Sequence, residues 1–257
     1  MRAIIGEFCS KRLLMAACGT FLFSAVLPVQ QASALEVYDV GAFVHSSSLG
    51  PDSLGYLDGV FDDFAGSGID MSFSRDLSSD GYGTFTWNFV NNSGLALADV
   101  WLFGFLDAEI DPDLNSSYNE YGRLSGVHGT GAGDTAADSW EIDEPGFSTG
   151  DIFNNLIAGA LDNQNTVPAG SENDVSLGLG FYLGDLLAGD RWTLTLQTSL
   201  DDIGGLIHGD SDSLSEFFFN GVAVVERDVT PVPEPSAFLL MLLGLCGLAW
   251  QRSKSQD

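Results

Sequence analysis

The residues best suited to chemistry form an alternating run, Asp107-Ala-Glu109-Ile-Asp111-Pro-Asp113-Leu-Asn115, with Glu120 beyond it. Oxygen ligands at every second position, leaving a strand into a loop, suit a hard cation such as Ca2+, which takes about six to eight oxygens. Asp107, Glu109, Asp111 and Asp113 are therefore candidate metal ligands. The run is not an EF-hand, because the sixth position counted from Asp107 is Pro112, where that loop requires glycine. The competing reading is a solvated acidic loop. Glu141, Asp143 and Glu144, and Asp210 and Asp212, are shorter acidic groups that could complete a site only if the fold brings them together.

Catalytic patterns are scarce. Gly209-Asp210-Ser211 resembles the start of the GDSL hydrolase block, but it lies late in a β-rich chain. His208 and Asp212 are too near in sequence to form a relay with Ser211, so the stretch reads as a turn. His45 and His128 lack metal-type spacing and read as surface histidines. There is no His-Glu-x-x-His and no phosphate loop. A carboxylate pair could cut a glycosidic bond, but with so many acids the sequence does not single out two. Tyr118, Tyr121 and Trp140, interleaved with acids, would suit a sugar-binding surface or the core beneath a long loop. No catalytic residue is nominated, and a non-enzymatic protein is the expectation.

Charge narrows the partners. The chain carries a formal charge of −27, and residues 35–230 hold 33 of its 36 acidic residues, four arginines and no lysine. Such a field repels nucleic acid and anionic membranes, attracts cations and keeps a secreted surface soluble. All three cysteines, Cys9, Cys18 and Cys246, lie outside that stretch. The domain must be held by packing, helped by metal ions if any bind; no cofactor is required.

The elements that position these residues read as strands. In Thr84 to Val90, Phe85, Trp87 and Phe89 share one face, opposite Thr84, Thr86 and Asn88, as a half-buried strand requires. Val100 to Leu106 is apolar on both faces and should be central. Leu35 to Val44, Ile69 to Phe73, Ser176 to Leu183 and Trp192 to Gln197 are further strands. Gly178 and Gly180 suggest close approach by another layer or a bulge. Phe217 to Phe219 and Val222 to Val225 flank Asn220-Gly221, a tight hairpin or a bulge in one strand. Gly50 to Gly68 should be a structured loop anchored by Leu54, Leu57, Phe61 and Phe64, and Asp107 to Gly150 is loop-rich. Asp151 can cap a short helix carrying Ile152, Leu156 and Leu161. Roughly seven to ten strands separated by turn signals predict an all-β antiparallel sandwich of jelly-roll or Ig-like type. The order of strand, Asn91-Asn92-Ser93-Gly94 turn and strand is similar to Ig-like modules of bacterial surface proteins.

Both ends carry addresses. Lys11 and Arg12 precede an apolar segment, Leu13 to Leu27, and Ala32-Ser33-Ala34 has the small-x-small form of a signal-peptidase site. Residues 1–34 are thus a signal peptide, with Ala32 and Ala34 at the cleavage site and 35–230 the exported domain. At the other end, Val232-Pro233-Glu234-Pro235-Ser236 is followed by an uncharged run, Ala237 to Trp250, and then by Arg252 and Lys254. The prolines favour an extended, accessible segment. The run predicts a transmembrane helix over about residues 237–250, somewhat short for the hydrocarbon core, with Arg252 and Lys254 on the cytoplasmic side.

Motif, apolar run and basic end in this order resemble the PEP-CTERM sorting signal of Gram-negative bacteria, here over 231–257. The resemblance implies recognition of Pro233, Glu234 and Pro235 by exosortase, a membrane cysteine protease, with Arg252 as the basic stop. It also implies export across the cytoplasmic membrane, transient anchoring, and delivery to the cell surface or beyond, alongside exopolysaccharide. The expected partners are signal peptidase, exosortase, the membrane through the C-terminal helix, and exopolysaccharide. The expected role is structural or adhesive within a biofilm matrix. The alternatives are a Ca2+-dependent carbohydrate-binding module and a polysaccharide-acting enzyme.

Overall fold

The computed structural model describes residues 34–113, 116–126, 136–146 and 149–227. The signal peptide expected over residues 1–34, apart from Ala34, and the sorting tail lie outside the described residues. Among the described residues twelve strands run in chain order: β1 (Leu35–His45), β2 (Leu54–Leu57), β3 (Phe61–Asp62), β4 (Ile69–Leu77), β5 (Gly83–Asn91) and β6 (Leu97–Ile110). They continue with β7 (Glu120–Gly126), β8 (Ser139–Asp143), β9 (Ser176–Leu186), β10 (Arg191–Ser199), β11 (Gly205–Asp210) and β12 (Glu216–Glu226). Among the described residues, one helix, α1 (Ile152–Ala158), and a 3-10 turn at Ser117–Asn119 accompany these strands.

Alternation along β5 fixes the architecture. Phe85, Trp87 and Phe89 are fully buried and Asn88 is exposed, so the strand presents one face to a core. That face packs one six-stranded sheet, order β4-β5-β10-β12-β11-β7, against a second, order β3-β2-β1-β6-β9-β8. Every ladder within these sheets is antiparallel, which makes the fold an all-β sandwich. The main core draws Val40, Leu102, Leu106, Leu177 and Phe181 from one sheet, and Trp87, Trp192, Leu196 and Phe219 from the other. β6, flanked by β1 and β9, is central as its two apolar faces require. Its second face, through Phe103 and Phe105, joins Phe43, Leu57 and the α1 residues Ile152 and Leu156 in a smaller outer core.

Several elements depart from the sequence expectation. The Gly50 to Gly68 segment is more than a loop: β2 and β3 form a hairpin that pairs with β1, because Leu57 and Phe61 have the outer core to cover. β6 runs on through Asp107 and Glu109 to Ile110, held by pairing with β1. The loop-rich middle also contains β7 and β8. Asn220-Gly221 is neither turn nor bulge, since β12 pairs with β10 in unbroken register through both residues. Gly221 is there for space: a Cβ would lie 2.7 Å from Leu196 and 3.1 Å from Phe181 of the facing sheet. Gly178 is likewise overlaid by Ile152 of α1 and by Leu161, the other layer that its small size anticipates. Asp151 is at the N-cap of α1, but its side chain makes no capping hydrogen bond.

Candidate functional site

At one end of the sandwich β6, β7, β11 and the segment leading into β9 converge, and each brings a charged side chain inward. β6 contributes Asp107 and Glu109, two residues apart and hence on one side of the strand. Opposite Asp107 lie Asp39 of β1 and Ser176 of β9. Glu120 opens β7, where its backbone exchanges hydrogen bonds with Asn173 and pairs with Asp210 of β11. His208 sits two residues earlier on β11, its ring 4.9 Å from that of Phe217 in the main core. Glu109, Glu120, His208 and Asp210 are each at most 3% exposed, and Asp107 is 8% exposed.

Hydrogen bonding leaves part of this group unsatisfied. Glu120 Oε2 accepts from the Val175 N–H at 3.1 Å. Asp210 Oδ1 accepts from the Asp212 and Ser213 N–H groups, an arrangement that fixes the β11 turn. Glu109 Oε1 and Asp210 Oδ2 are buried with no hydrogen-bond partner. His208 Nε2 lies 2.9 Å from Glu120 Oε1, but the approach lacks the alignment of a hydrogen bond. The contact sets an imidazole nitrogen against a carboxylate oxygen. Glu109 and Glu120 also touch through their carboxyl groups.

The electrostatics follow from burial. Loss of solvent pushes Asp107 up to about 8, with Asp174, Asp39, Glu120 and Glu109 adding repulsion. Burial likewise raises Glu109 to about 7, helped by Glu120, and Glu120 to about 9 against the opposing Val175 hydrogen bond. Asp174 is raised by the same desolvation. The His208 imidazole is driven down to about 4 by burial, although Glu109, Asp174 and Asp210 pull the other way. The arginines do not relieve the cluster. Arg75 pairs with Asp58, Arg123 with Glu216 and Arg227 with Asp190, while Arg191 stands opposite Glu226.

The four metal candidates from the sequence are thus divided. Asp107 and Glu109 join the buried cluster. Asp111 adopts a positive φ of 49°, which ends the alternation, and its Oδ1 accepts from the Ala34 N–H at 2.6 Å. Asp111 and Asp113 line a separate cavity of about 600 Å³ with Leu35, Val37, Arg75 and Leu77. Asn115 lies outside the described residues. Glu120 and Asp210, lesser candidates in the sequence, are brought in by the pairing of β7 with β11. Sequence reasoning missed Asp174 and His208, which carry no metal-type spacing.

A second acidic group lies beside α1. Carboxylate oxygens of Glu141, Asp151 and Asp162 fall within 4.8 Å of one another. Its hydrogen bonds are largely made: Glu141 accepts from Asn155 Nδ2 and the Asp162 N–H, and Asp162 accepts twice from Gln164. Burial raises Glu141 to about 7. Of the remaining residues singled out in the sequence, Tyr118 is 73% exposed, while Trp140 packs against the core. Tyr121 donates its hydroxyl to Glu216. Ser211 donates its hydroxyl to the Asn119 carbonyl and faces no base. His45 is half-buried at the end of β1, and His128 lies outside the described residues.

Among the described residues no helix is long and apolar enough to cross a membrane, and the anchor expected at 237–250 falls beyond them. No curated protein and no solved structure matches the chain. One family model does, over residues 231–253. The chain carries a PEP-CTERM protein-sorting motif there, which implies an exported protein targeted to exosortase.

Proposed function

We propose that this protein is a non-enzymatic structural or adhesive component of an extracellular polysaccharide matrix. Its tail delivers it to the outer side of the cytoplasmic membrane, and exosortase releases it near Pro233-Glu234-Pro235. The sorting motif at 231–253, joined to an all-β domain, is the observation that carries this reading. The domain's charge supports it as well: a surface dominated by Asp and Glu stays hydrated and repels nucleic acid and anionic lipid. A second reading, a carbohydrate-binding module, is favoured by Tyr118, an exposed aromatic ring on the turn that leads directly into Glu120.

Fractionation of the producing cells tests both. The protein should be matrix-bound in the parent, shed to the medium when polysaccharide synthesis is deleted, and retained in the membrane when exosortase is deleted. A distribution indifferent to the polysaccharide contradicts the matrix role. Binding to purified polysaccharide that Tyr118→Ala abolishes selects the second reading.

A further inference from the structure

We propose that two loop tips carrying Leu95 and Leu187 rest on the outer face of the cytoplasmic membrane while the tail still anchors the chain, so that the domain stands beside its own anchor in one orientation. The inference rests on the sorting reading and specifies how the anchored form sits. Two loops cross between the sheets at this end: residues 92–96 join β5 to β6, and residues 187–190 join β9 to β10. Leu95 is 71% exposed and Leu187 56%, and Ala96 and Ala188 beside them are exposed as well. A lone exposed leucine needs no explanation, but two on adjoining tips make a patch. Their placement is fixed. Asn91, fully buried at the end of β5, donates from Nδ2 to the Leu95 carbonyl at 2.8 Å and to the Leu187 carbonyl at 3.1 Å. Its backbone exchanges hydrogen bonds with Gly189 and Asp190 of the second loop. Tips clamped in this way lose little further freedom on meeting a surface.

The same network reaches the start of the tail. Asp190 Oδ2 accepts from the Leu187 N–H at 2.9 Å and from Arg227 Nη1 at 3.2 Å, and Arg227 also donates to the Asp185 carbonyl. Arg227 ends the described residues, and the apolar run of the tail begins ten positions later, at Ala237. Ten residues span at most about 36 Å, which keeps this end of the sandwich close to the bilayer. The opposite end, with Leu214 just before β12, is farther by the 11 residues of that strand, roughly 33 Å at about 3.3 Å per residue. Charge agrees with a lipid occupant. The domain as a whole repels anionic lipid, yet the patch itself is uncharged, and Arg191 and Arg227, two of the four arginines in residues 35–230, stand at this end. Apolar tips with arginines beside them suit the boundary between headgroups and acyl chains.

The test uses the full chain with its three cysteines replaced by serine, purified from cells lacking exosortase and reconstituted into phosphatidylcholine vesicles. Spin labels are introduced one at a time through Leu95→Cys, Leu187→Cys and, at the opposite end, Leu214→Cys, which is 74% exposed in the parent. Labels at 95 and 187 should become more accessible to oxygen and less accessible to an aqueous nickel chelate, while the label at 214 stays aqueous. The shift should vanish in the form released by exosortase, and Leu95→Asp should return the label at 187 to water. Labels at 95 and 187 as aqueous as that at 214 in the anchored chain overturn the proposal and leave the sorting reading standing. A lipid-like shift at all three positions overturns it too, as does a shift that appears only when exosortase is added, which would assign the patch to the protease. A chain that does not enter vesicles overturns the sorting reading and this inference together.

Discussion

Trp87 offers the sharpest probe of the core. Its side chain is fully buried on β5, stacked on Phe73 of β4 at a ring distance of 4.8 Å and opposite Leu194 of β10. Truncation by Trp87→Ala removes that contact surface and leaves a cavity, a loss of about 3 to 5 kcal/mol. The indole Nε1 has no hydrogen-bond partner, so Trp87→Phe sheds an unsatisfied donor along with some volume. The two effects oppose each other, and the Phe variant should lose no more than about 1.5 kcal/mol. Thr86→Ala, on the opposite face, should stay within about 1 kcal/mol. At about 2 to 4 °C per kcal/mol for a domain of this size, Trp87→Ala lowers Tm by roughly 6 to 20 °C. Denaturant melts followed by near-ultraviolet circular dichroism read all three. A Trp87→Ala loss below about 1 kcal/mol would refute the burial argument. A Phe variant as damaged as the Ala variant would show that Nε1 does have a partner.

Two other properties of the domain follow from the same geometry. Gly104, on central β6, faces Leu196, whose methyl carbons would lie 2.6 and 2.7 Å from an added Cβ. Gly104→Ala should therefore destabilise by about 1 to 3 kcal/mol in urea melts, and no measurable loss would mean that the sheets yield freely there. Without cations, pH controls stability through the buried acids. Asp107, Glu109, Glu120 and Glu141 have folded pKa values of about 7 to 9, above their unfolded values near 4, so their stabilising protons are all held below about pH 4. That stability is lost as pH rises through 7 to 9. His208, lowered to about 4, has the opposite dependence, losing stability as pH falls from about 6.5 through 4. Because four acids outweigh one histidine, Tm of chelator-treated protein should be highest near about pH 4 and decline towards pH 9; a flat or rising profile across pH 6 to 9 contradicts the buried cluster.

Period-two patterns made the strands legible wherever one face is buried and the other wet, as at Phe85, Trp87 and Phe89. The central place of β6 was equally visible in its two apolar faces. β2 and β3 were hidden because they are short and lie in a Gly50 to Gly68 segment whose Gly, Asp and Ser content suppresses the strand signal, and only the outer core explains them. The candidate site was half legible. Asp107 and Glu109 stand out by alternation, but the same alternation wrongly enlists Asp111, whose positive φ turns it away. Glu120, Asp174, His208 and Asp210 come from three other segments, and sheet pairing across long sequence separations cannot be read from local spacing. His208 was unreadable for a further reason: its burial beside Phe217 depends on the β11–β12 register.

The most direct test of the sorting account is the intact mass of the protein recovered outside cells that possess exosortase. The account predicts a chain that begins near Leu35 and has lost Ala237 to Trp250, with the longer form persisting in cells lacking the protease. Recovery of a chain that still carries Ala237 to Trp250 from exosortase-positive cells would contradict it.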